Sequence, residues 1–435
     1  MRFRDRHLHL LGIGGTGLSA IAELLLARGA LVSGCDVVRS PVTDRLAARG
    51  ARLSLGGQSA AHVAGEEVLC HTTRLQPAGR AEVAAAEAAG LTVLDRPHLL
   101  AELLREADAI GIAGTHGKTT TTALVAHLLE EVGERPSALI GDGASSRVGT
   151  SRLLVAELDE SDRTLPLHHP DAAILTGVGF DHGDYYRDLA DVRRTFRAFL
   201  DGLPESGAAF LCADDPWVRD QQVPGRRVTY GLGGAADYRL APDGVVSWRG
   251  ERLARLELQV PGPMTRLDAT AALAVAVERG IDPERSARAL GTFTGAGRRL
   301  ERLGAWHGAV LYDDYGHLPA QIGPTVEALR ELPHERVLLV FQPHRFSRFE
   351  DIEQELAAPL RAADRTLLTE IYGAGEPNPS ALSSRALAAA AGIDFAPDLG
   401  RVRAWLECEA RSGDLVLLMG AGDVGRVGHA LAREG

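Results

Sequence analysis

Apolar positions along the chain alternate between two habits: short unbroken runs, and longer stretches spaced by three and four. "HLHLLGI" from His7 reads as a buried strand, and "GLSAIAELLLARG" as a helix ended by Gly29. "ALVSGCD" reads as the next strand, "RLAARG" as a helix end, and "EVLCHT" and "LTVLDR" as further strands. Strands alternating with helices predict a parallel sheet covered on both faces.

The pattern restarts near residue 108. "ADAIGIAG" predicts a strand, and "TTTTALVAHLLEEVG" a helix. "RLLVAELDESD" and "DAAILTGVGFDH" read as strands that each end in polar residues; "GAAFLCADDP" and "RRVTYGLG" follow as strands and "DATAALAVAVERG" as a helix. A third block opens after the Gly-rich "GTFTGAGRR" and holds strands in "AVLYDDYGH", "RVLLVFQPHR", "RTLLTEIYGAG" and "DLVLLMGAGDVG". The expected organisation is α/β in three domains, 1–107, 108–292 and 293–435.

Two glycine loops carry the first chemistry. Gly12-x-Gly14-x-x-Gly17 follows a strand and precedes a helix, and Asp36 ends the next strand. Such glycines let backbone approach a diphosphate at a helix N-terminus, and the acid suits a ribose hydroxyl. NAD, FAD and a UDP-sugar all fit it. The second loop is Gly114-Thr115-His116-Gly117-Lys118-Thr119, a G-x-x-G-K-T core with Ile112 at the position of the full motif's first glycine. Its amides would cradle phosphates, Lys118 would hold the β and γ oxygens, and Thr119 would reach Mg²⁺.

Composition sharpens that reading. Of 47 Lys+Arg, Lys118 is the only lysine. A chain that uses arginine for every other cation keeps lysine where a thin stem and compact charge are required and a planar guanidinium does not fit.

The strand ends supply carboxylates: Glu157, Asp159, Glu160 and Asp162 in one cluster, Asp181, His182 and Asp184 in the next. Hard oxygens and an imidazole beside a phosphate loop suit Mg²⁺, with Glu157 the strongest candidate because it directly extends an apolar strand. His168 and His169 precede a proline and read as loop surface. The third block supplies Arg298, Arg299, His344, Arg345 and Arg348, with Asp313, Asp314, Tyr315 and His317 past another strand, a candidate anion site.

Net charge of −11 argues against non-specific nucleic-acid binding. Four scattered cysteines form no CxxC or Cys/His metal spacing and read as free thiols of a reducing cytoplasm. The apolar start is broken by glycines too early for a signal peptide, and no run approaches a membrane span. No nucleophile triad stands out, which leaves phosphoryl transfer by positioning and charge neutralisation. The competing class is an NAD-dependent oxidoreductase built on the first loop, against which the second loop and its lysine argue.

Taken together, "GIGGTGLSAIA", "AGTHGKTTTT", "VAELDESD", the arginines of "GAGRRLE", "DDYGH", "FQPHRFSR", "YGAGE" and "MGAGDVG" resemble the Mur ligases, ATP-dependent amide-forming enzymes of bacterial cell-wall synthesis. The resemblance covers nearly the whole chain and looks most like the alanine-adding branch. It implies a Rossmann-like N-terminal domain, a P-loop ATPase-like central domain and a Rossmann-like C-terminal domain. The first would bind UDP-N-acetylmuramate through Gly14, Gly15, Thr16, Gly17 and Asp36. The second would bind ATP through Gly114, Thr115, His116, Gly117, Lys118, Thr119 and Thr120, with Arg298 contributing from the third and Thr119, Glu157 and His182 around magnesium.

The C-terminal domain would place L-alanine and close over the site, with Tyr315, His317 and Arg348 near substrate. Lys118, Glu157, His182, His344 and Arg345 would serve catalysis. The implied path is an acyl phosphate formed on the lactyl carboxylate and then attacked by the amino group. Several later Mur ligases use a carbamylated lysine as a magnesium ligand, and this chain has no lysine left for that role. A cytoplasmic monomer or homodimer is expected, with neither nucleic-acid nor membrane partners. The chain departs from the family pattern at Met264, Thr265 and Asp268 where His-Asn and a later Asn are usual, at Gly177 where Asn is usual, and at Leu318 where His is usual. These bear on base recognition and turnover. The alternatives within the class are a ligase attaching a recycled peptide to the same sugar nucleotide and a nucleotide-binding homologue of weakened catalysis.

Overall fold

The computed structural model describes residues 3–63, 65–72, 75, 77–142, 146–183, 185–234, 236–378 and 380–435. Asp184 lies outside the described residues. The chain divides into two compact units, Met1–Glu257 with Leu267–Gly291, and Leu258–Arg266 with Thr292–Gly435.

The first unit holds two sheets. One contains β1 (His7–Leu11), β2 (Leu31–Asp36), β3 (Arg52–Leu55), β4 (Val68–His71) and β5 (Thr92–Asp95), all parallel, in the order β3-β2-β1-β4-β5. Helices α1 (Thr16–Ala27), α2 (Pro41–Ala48), α3 (Pro77–Ala88) and α4 (Arg96–Arg105) connect them. This is the doubly wound arrangement whose strand order reverses beside β1, where ligands bind at the carboxyl ends. Capping fixes the helix starts: the Ser40 hydroxyl accepts from Thr43 N, and the Asp95 carboxylate from His98 N.

The second sheet has nine strands: β6 (Asp108–Ala113), β7 (Ser137–Leu139), β8 (Leu153–Glu157), β9 (Ala172–Leu175), β10 (Ala208–Cys212), β11 (Arg226–Gly231), β12 (Tyr238–Leu240), β13 (Val245–Trp248) and β14 (Glu251–Arg255). Their order is β14-β13-β12-β11-β10-β9-β6-β8-β7. Strands β6 to β11 are parallel to their neighbours, and β12 to β14 form an antiparallel ribbon at one edge. Helix α5 (Lys118–Glu131) follows β6 directly.

The second unit has six strands: β15 (Glu301–Trp306), β16 (Ala309–Asp314), β17 (Val337–Phe341), β18 (Arg365–Thr369), β19 (Asp394–Ala396) and β20 (Leu415–Met419), in the order β15-β16-β20-β17-β18-β19. All are parallel to their neighbours except β15, which pairs antiparallel with β16. The unbroken apolar runs of β17 and β20 have a simple cause: both faces are buried. Val337, Leu339 and Phe341 face one core, and Leu338 and Val340 the other.

Two expectations need correction. The strand read through "DAAILTGVGFDH" stops at Leu175, because the segment after it bonds to the phosphate-type loop instead of to a neighbouring strand. His168, read as loop surface, is 2% exposed. The short helical turn Leu165–Leu167 packs against α4 and the helix Leu189–Asp201 and carries His168 inward with it. Burial lowers its pKa to about 4, so its ring is neutral.

Candidate active site

The turn between β6 and α5 is built by backbone that only glycine accepts easily. Gly114 has φ +143°, and a Cβ there would collide with Thr176 Oγ1. Gly117, the residue before α5, has φ +80°. The loop after β9 braces this turn. Thr115 N donates to Gly177 O at 2.9 Å, Gly179 N donates to Thr115 Oγ1 at 2.9 Å, and Thr176 Oγ1 donates to His116 O at 2.5 Å. Gly177, a departure from the family pattern, thus serves the turn through its carbonyl.

Lys118 folds back into this frame. Its Nζ donates to Gly114 O at 2.6 Å and lies 2.8 Å from Glu160 Oε2 and 3.0 Å from Oε1. Burial works against the ammonium, but the charges of Glu160, Asp159 and Glu157 outweigh it and hold the Lys118 pKa above its ordinary value. Burial lifts the Glu160 carboxyl in turn, with Lys118 opposing. Glu160, which sequence reading grouped with the strand-end acids but gave no role, is the lysine's partner and is 1% exposed.

The candidate magnesium residues fall into two groups. Thr119 Oγ1 donates to Glu157 Oε1 at 3.2 Å, and Gly141 N donates to Glu157 Oε2 at 2.8 Å. A hydroxyl and a carboxylate at the head of α5 are hard oxygen donors of the kind Mg²⁺ takes, so these two fit the ion. His182 sits in left-handed backbone, φ +57°, with Nε2 3.7 Å from Glu160 Oε1 and 3.8 Å from Asp181 Oδ2. With Asp159 and Glu160 it forms a compact ligand-capable group. Asp159 accepts from Ser161 N and Oγ, and Asp162 accepts from Thr164, so both also shape the loop. Thr120 is partly buried in the first turn of α5.

Asp268 is a residue whose value the sequence hid. It lies on the helix Pro263–Glu278, 5% exposed, where a Cβ on Gly117 would stand 3.1 Å from its Oδ1. Burial raises its pKa to about 8. A protonated carboxyl has the shape of an asparagine amide and one O–H donor. The departure from asparagine is therefore smaller at neutral pH than the letters suggest. Met264 on the same helix is 55% exposed.

At the first glycine loop, Gly12 (φ +83°) opens the turn and Gly15 precedes α1, leaving Thr16 and Gly17 at the helix start. Gly14 N donates to Asp36 Oδ2 at 2.8 Å, and a Cβ on Gly14 would stand equally close to that oxygen. Asp36, expected to meet a ribose hydroxyl, also shapes the loop.

In the second unit, Tyr315 takes Arg298 and Arg299 against its ring, with guanidinium carbons 5.1 and 5.0 Å from the centroid. Arg298, expected at a nucleotide, is engaged within its own unit: Nε lies 3.2 Å from Asp313 Oδ2, and Nη2 donates to Gly420 O at 2.5 Å and Gly422 O at 3.2 Å. His344 stacks on Tyr372 at 5.8 Å, which sequence reading did not single out, and faces His317 at 6.0 Å. Arg348 Nη1 lies 3.3 Å from His344 Nδ1. Burial and then the Arg348 and Arg345 charges lower the His344 pKa, keeping the ring neutral. Arg345 has φ +66°, held by Arg345 N donating to Tyr372 O at 2.8 Å and Nε to Glu376 at 2.5 Å. Leu318 precedes the helix Pro319–Arg330, its N–H donating to Gln321 Oε1.

Three family models match the chain: the Mur ligase family catalytic domain over residues 7–107, the Mur ligase middle domain over 112–276 and the Mur ligase glutamate ligase domain over 298–422. The chain belongs to the Mur ligase family. It is 39% identical to a UDP-N-acetylmuramate–L-alanine ligase of Syntrophotalea carbinolica, covering 98% of this chain and 97% of the relative. It is 40% identical to one of Laribacter hongkongensis with the same coverages. Its fold matches the crystal structure of UDP-N-acetylmuramate–alanine ligase from Thermotoga maritima, with a TM-score of 0.80, 24% identity and 98% of each chain covered. A murein peptide ligase from Psychrobacter arcticus matches with a TM-score of 0.70, also at 24% identity and 98% of each chain.

Two outcomes follow from the geometry. Lys118→Arg keeps the charge but must fit a guanidinium between Gly114 O and Glu160; turnover should fall by roughly 10²-fold or more, as when a transition-state donor is lost, and near-parent rates would contradict the steric argument. Asp268→Asn should flatten the pH dependence of stability. The folded chain holds a proton up to about pH 8 that an ordinary aspartate gives up near 3.8, so stability declines as pH rises between those values. Thermal unfolding from pH 4 to 8 should show that slope in the parent and not in the variant. The slope is at most on the order of 1.4 kcal/mol for each step of one in pH, which brings the difference at pH 8 to a few kcal/mol. Parallel slopes would contradict it.

Proposed function

We propose that the chain is an ATP-dependent ligase that joins L-alanine to the lactyl carboxylate of UDP-N-acetylmuramate, supplying a peptidoglycan precursor. One observation carries the reading: a buried turn holds the chain's only lysine against Gly114 O and Glu160, beside the Thr119–Glu157 pair. That arrangement suits a terminal phosphoryl group, and the full-length relatives at 39% and 40% identity support the alanine-adding branch.

In this reading the amides of residues 114–119 and the N-terminus of α5 bind the triphosphate. Lys118 exchanges Gly114 O and Glu160 for phosphate oxygens, and Thr119 and Glu157 would hold magnesium, with His182 on the Glu160 side of the site. Magnesium would neutralise phosphate charge as the phosphoryl group moves. The lactyl carboxylate attacks the γ-phosphorus, the acyl phosphate forms and ADP leaves. The alanine amine then attacks the acyl carbon and phosphate departs. The glycine loop after β1 holds the sugar nucleotide, and Tyr315, His317, His344, Arg345 and Arg348 serve the amino-acid side. His344, neutral near pH 7, is able to accept a proton from the amine.

Phosphate release tests the reading. Release with ATP should require both UDP-N-acetylmuramate and L-alanine, and omission of either should abolish it. Release with a tripeptide in place of L-alanine, and none with alanine, would overturn it in favour of a peptide-attaching ligase. No release with either acceptor would leave a nucleotide-binding homologue.

A further inference from the structure

Sequence spacing shows no Cys/His metal pattern because the residues stand at 9, 35, 62 and 82; the fold gathers them. His9 lies on β1, Cys35 on β2, His62 at the end of the short turn Ala60–His62, and Glu82 on α3. Their four ligand atoms all lie within 4.8 Å of one another. Three of the four residues are buried: His9 is 2% exposed, Cys35 and Glu82 are 0%.

The separations from Glu82 to the other three are near those of ligands around a small ion. His9 Nε2 is 3.0 Å from Glu82 Oε1, His62 Nδ1 is 3.5 Å from the same oxygen, and Cys35 Sγ is 3.5 Å from both Glu82 oxygens. With bonds of about 2.0–2.1 Å to nitrogen or oxygen and 2.3 Å to sulfur, a tetrahedral zinc site has ligand-to-ligand edges of about 3.3–3.5 Å. Both ring nitrogens face the same buried carboxylate oxygen, so the two imidazoles and the thiol converge on Glu82.

The surroundings match a ligand shell. His9 Nδ1 lies 2.9 Å from Ser33 Oγ, which orients the ring and directs Nε2 inward. Ser59 N donates to Glu82 Oε2 at 3.0 Å. The Cys35 thiol donates to Glu82 Oε1 at 3.5 Å. None of these four residues is used in the proposed ligase reaction.

We propose that His9, Cys35, His62 and Glu82 form a structural site for a zinc-class divalent cation. Two imidazoles, one thiolate and one carboxylate are a zinc donor set, too soft for Mg²⁺ or Ca²⁺. On binding, the Cys35 S–H proton passes to water and the thiolate sulfur donates its pair to the metal. The ion ties β1, β2 and α3 together directly below the first glycine loop, where Gly12 N and Ile13 N both donate to Cys35 O.

Cobalt(II) reports the site. The full chain, stripped with chelator and then freed of it, should bind one Co²⁺ with a near-ultraviolet thiolate-to-cobalt charge-transfer band and tetrahedral visible bands, both removed by Zn²⁺. Cys35→Ser should lose the charge-transfer band, and His62→Ala, at the partly exposed edge, should weaken binding by roughly tenfold or more. Far-ultraviolet circular dichroism of the metal-free variants should match the parent. A parent chain without the band, or a band that survives in Cys35→Ser, would overturn the site. The parent titration alone decides the matter if a variant does not fold.

Discussion

One buried ammonium sets the electrostatics of the candidate site. Lys118 Nζ stands against Gly114 O and Glu160, with Asp159 and Glu157 also acting on it. Lys118, with Arg96 4.0 Å from Asp159, faces three carboxylates, so the turn is short of cation. In the proposed reading a triphosphate deepens that shortage, and this is the physical case for a divalent ion at Thr119 and Glu157. Removing the lysine outright would also strand Glu160 in the interior, at a cost of about 3–5 kcal/mol, so loss of fold and loss of phosphate binding would be confounded.

The scaffold around that charge is a set of parallel strand ends. β6 delivers the turn, β8 delivers Glu157 and the acids after it, and the loop after β9 closes the turn through Thr176, Gly177 and Gly179. Each contributes from the carboxyl edge, where parallel sheets expose backbone N–H groups and helix N-termini. The first sheet repeats the plan at smaller scale, with Gly14 held by Asp36 across the neighbouring strand.

Much of this was legible in the letters, for a physical reason. A strand buried on both faces, such as β17 or β20, reads as an unbroken apolar run, and a glycine turn followed by a helix announces itself by residue type. Strands at the margins were not legible. β3 has no fully buried residue, and β12 to β14 are short and partly exposed, so their period is faint. Glu160 hid among four acids because only the fold shows which one turns inward. Asp268 hid because its protonation depends on burial. The contacts of Arg298 with Asp313 and the Gly420 and Gly422 carbonyls were not legible either, because those groups are distant in sequence. The His9, Cys35, His62 and Glu82 cluster was invisible for the same reason.

A crystal structure of the chain with a non-hydrolysable ATP analogue and magnesium would show whether the turn around Lys118 grips a triphosphate. The β- and γ-phosphates should lie within the amides of residues 114–119, and Lys118 Nζ should move from Gly114 O and Glu160 onto phosphate oxygens. An analogue bound elsewhere, or a lysine still paired with Glu160 beside an empty turn, would contradict it.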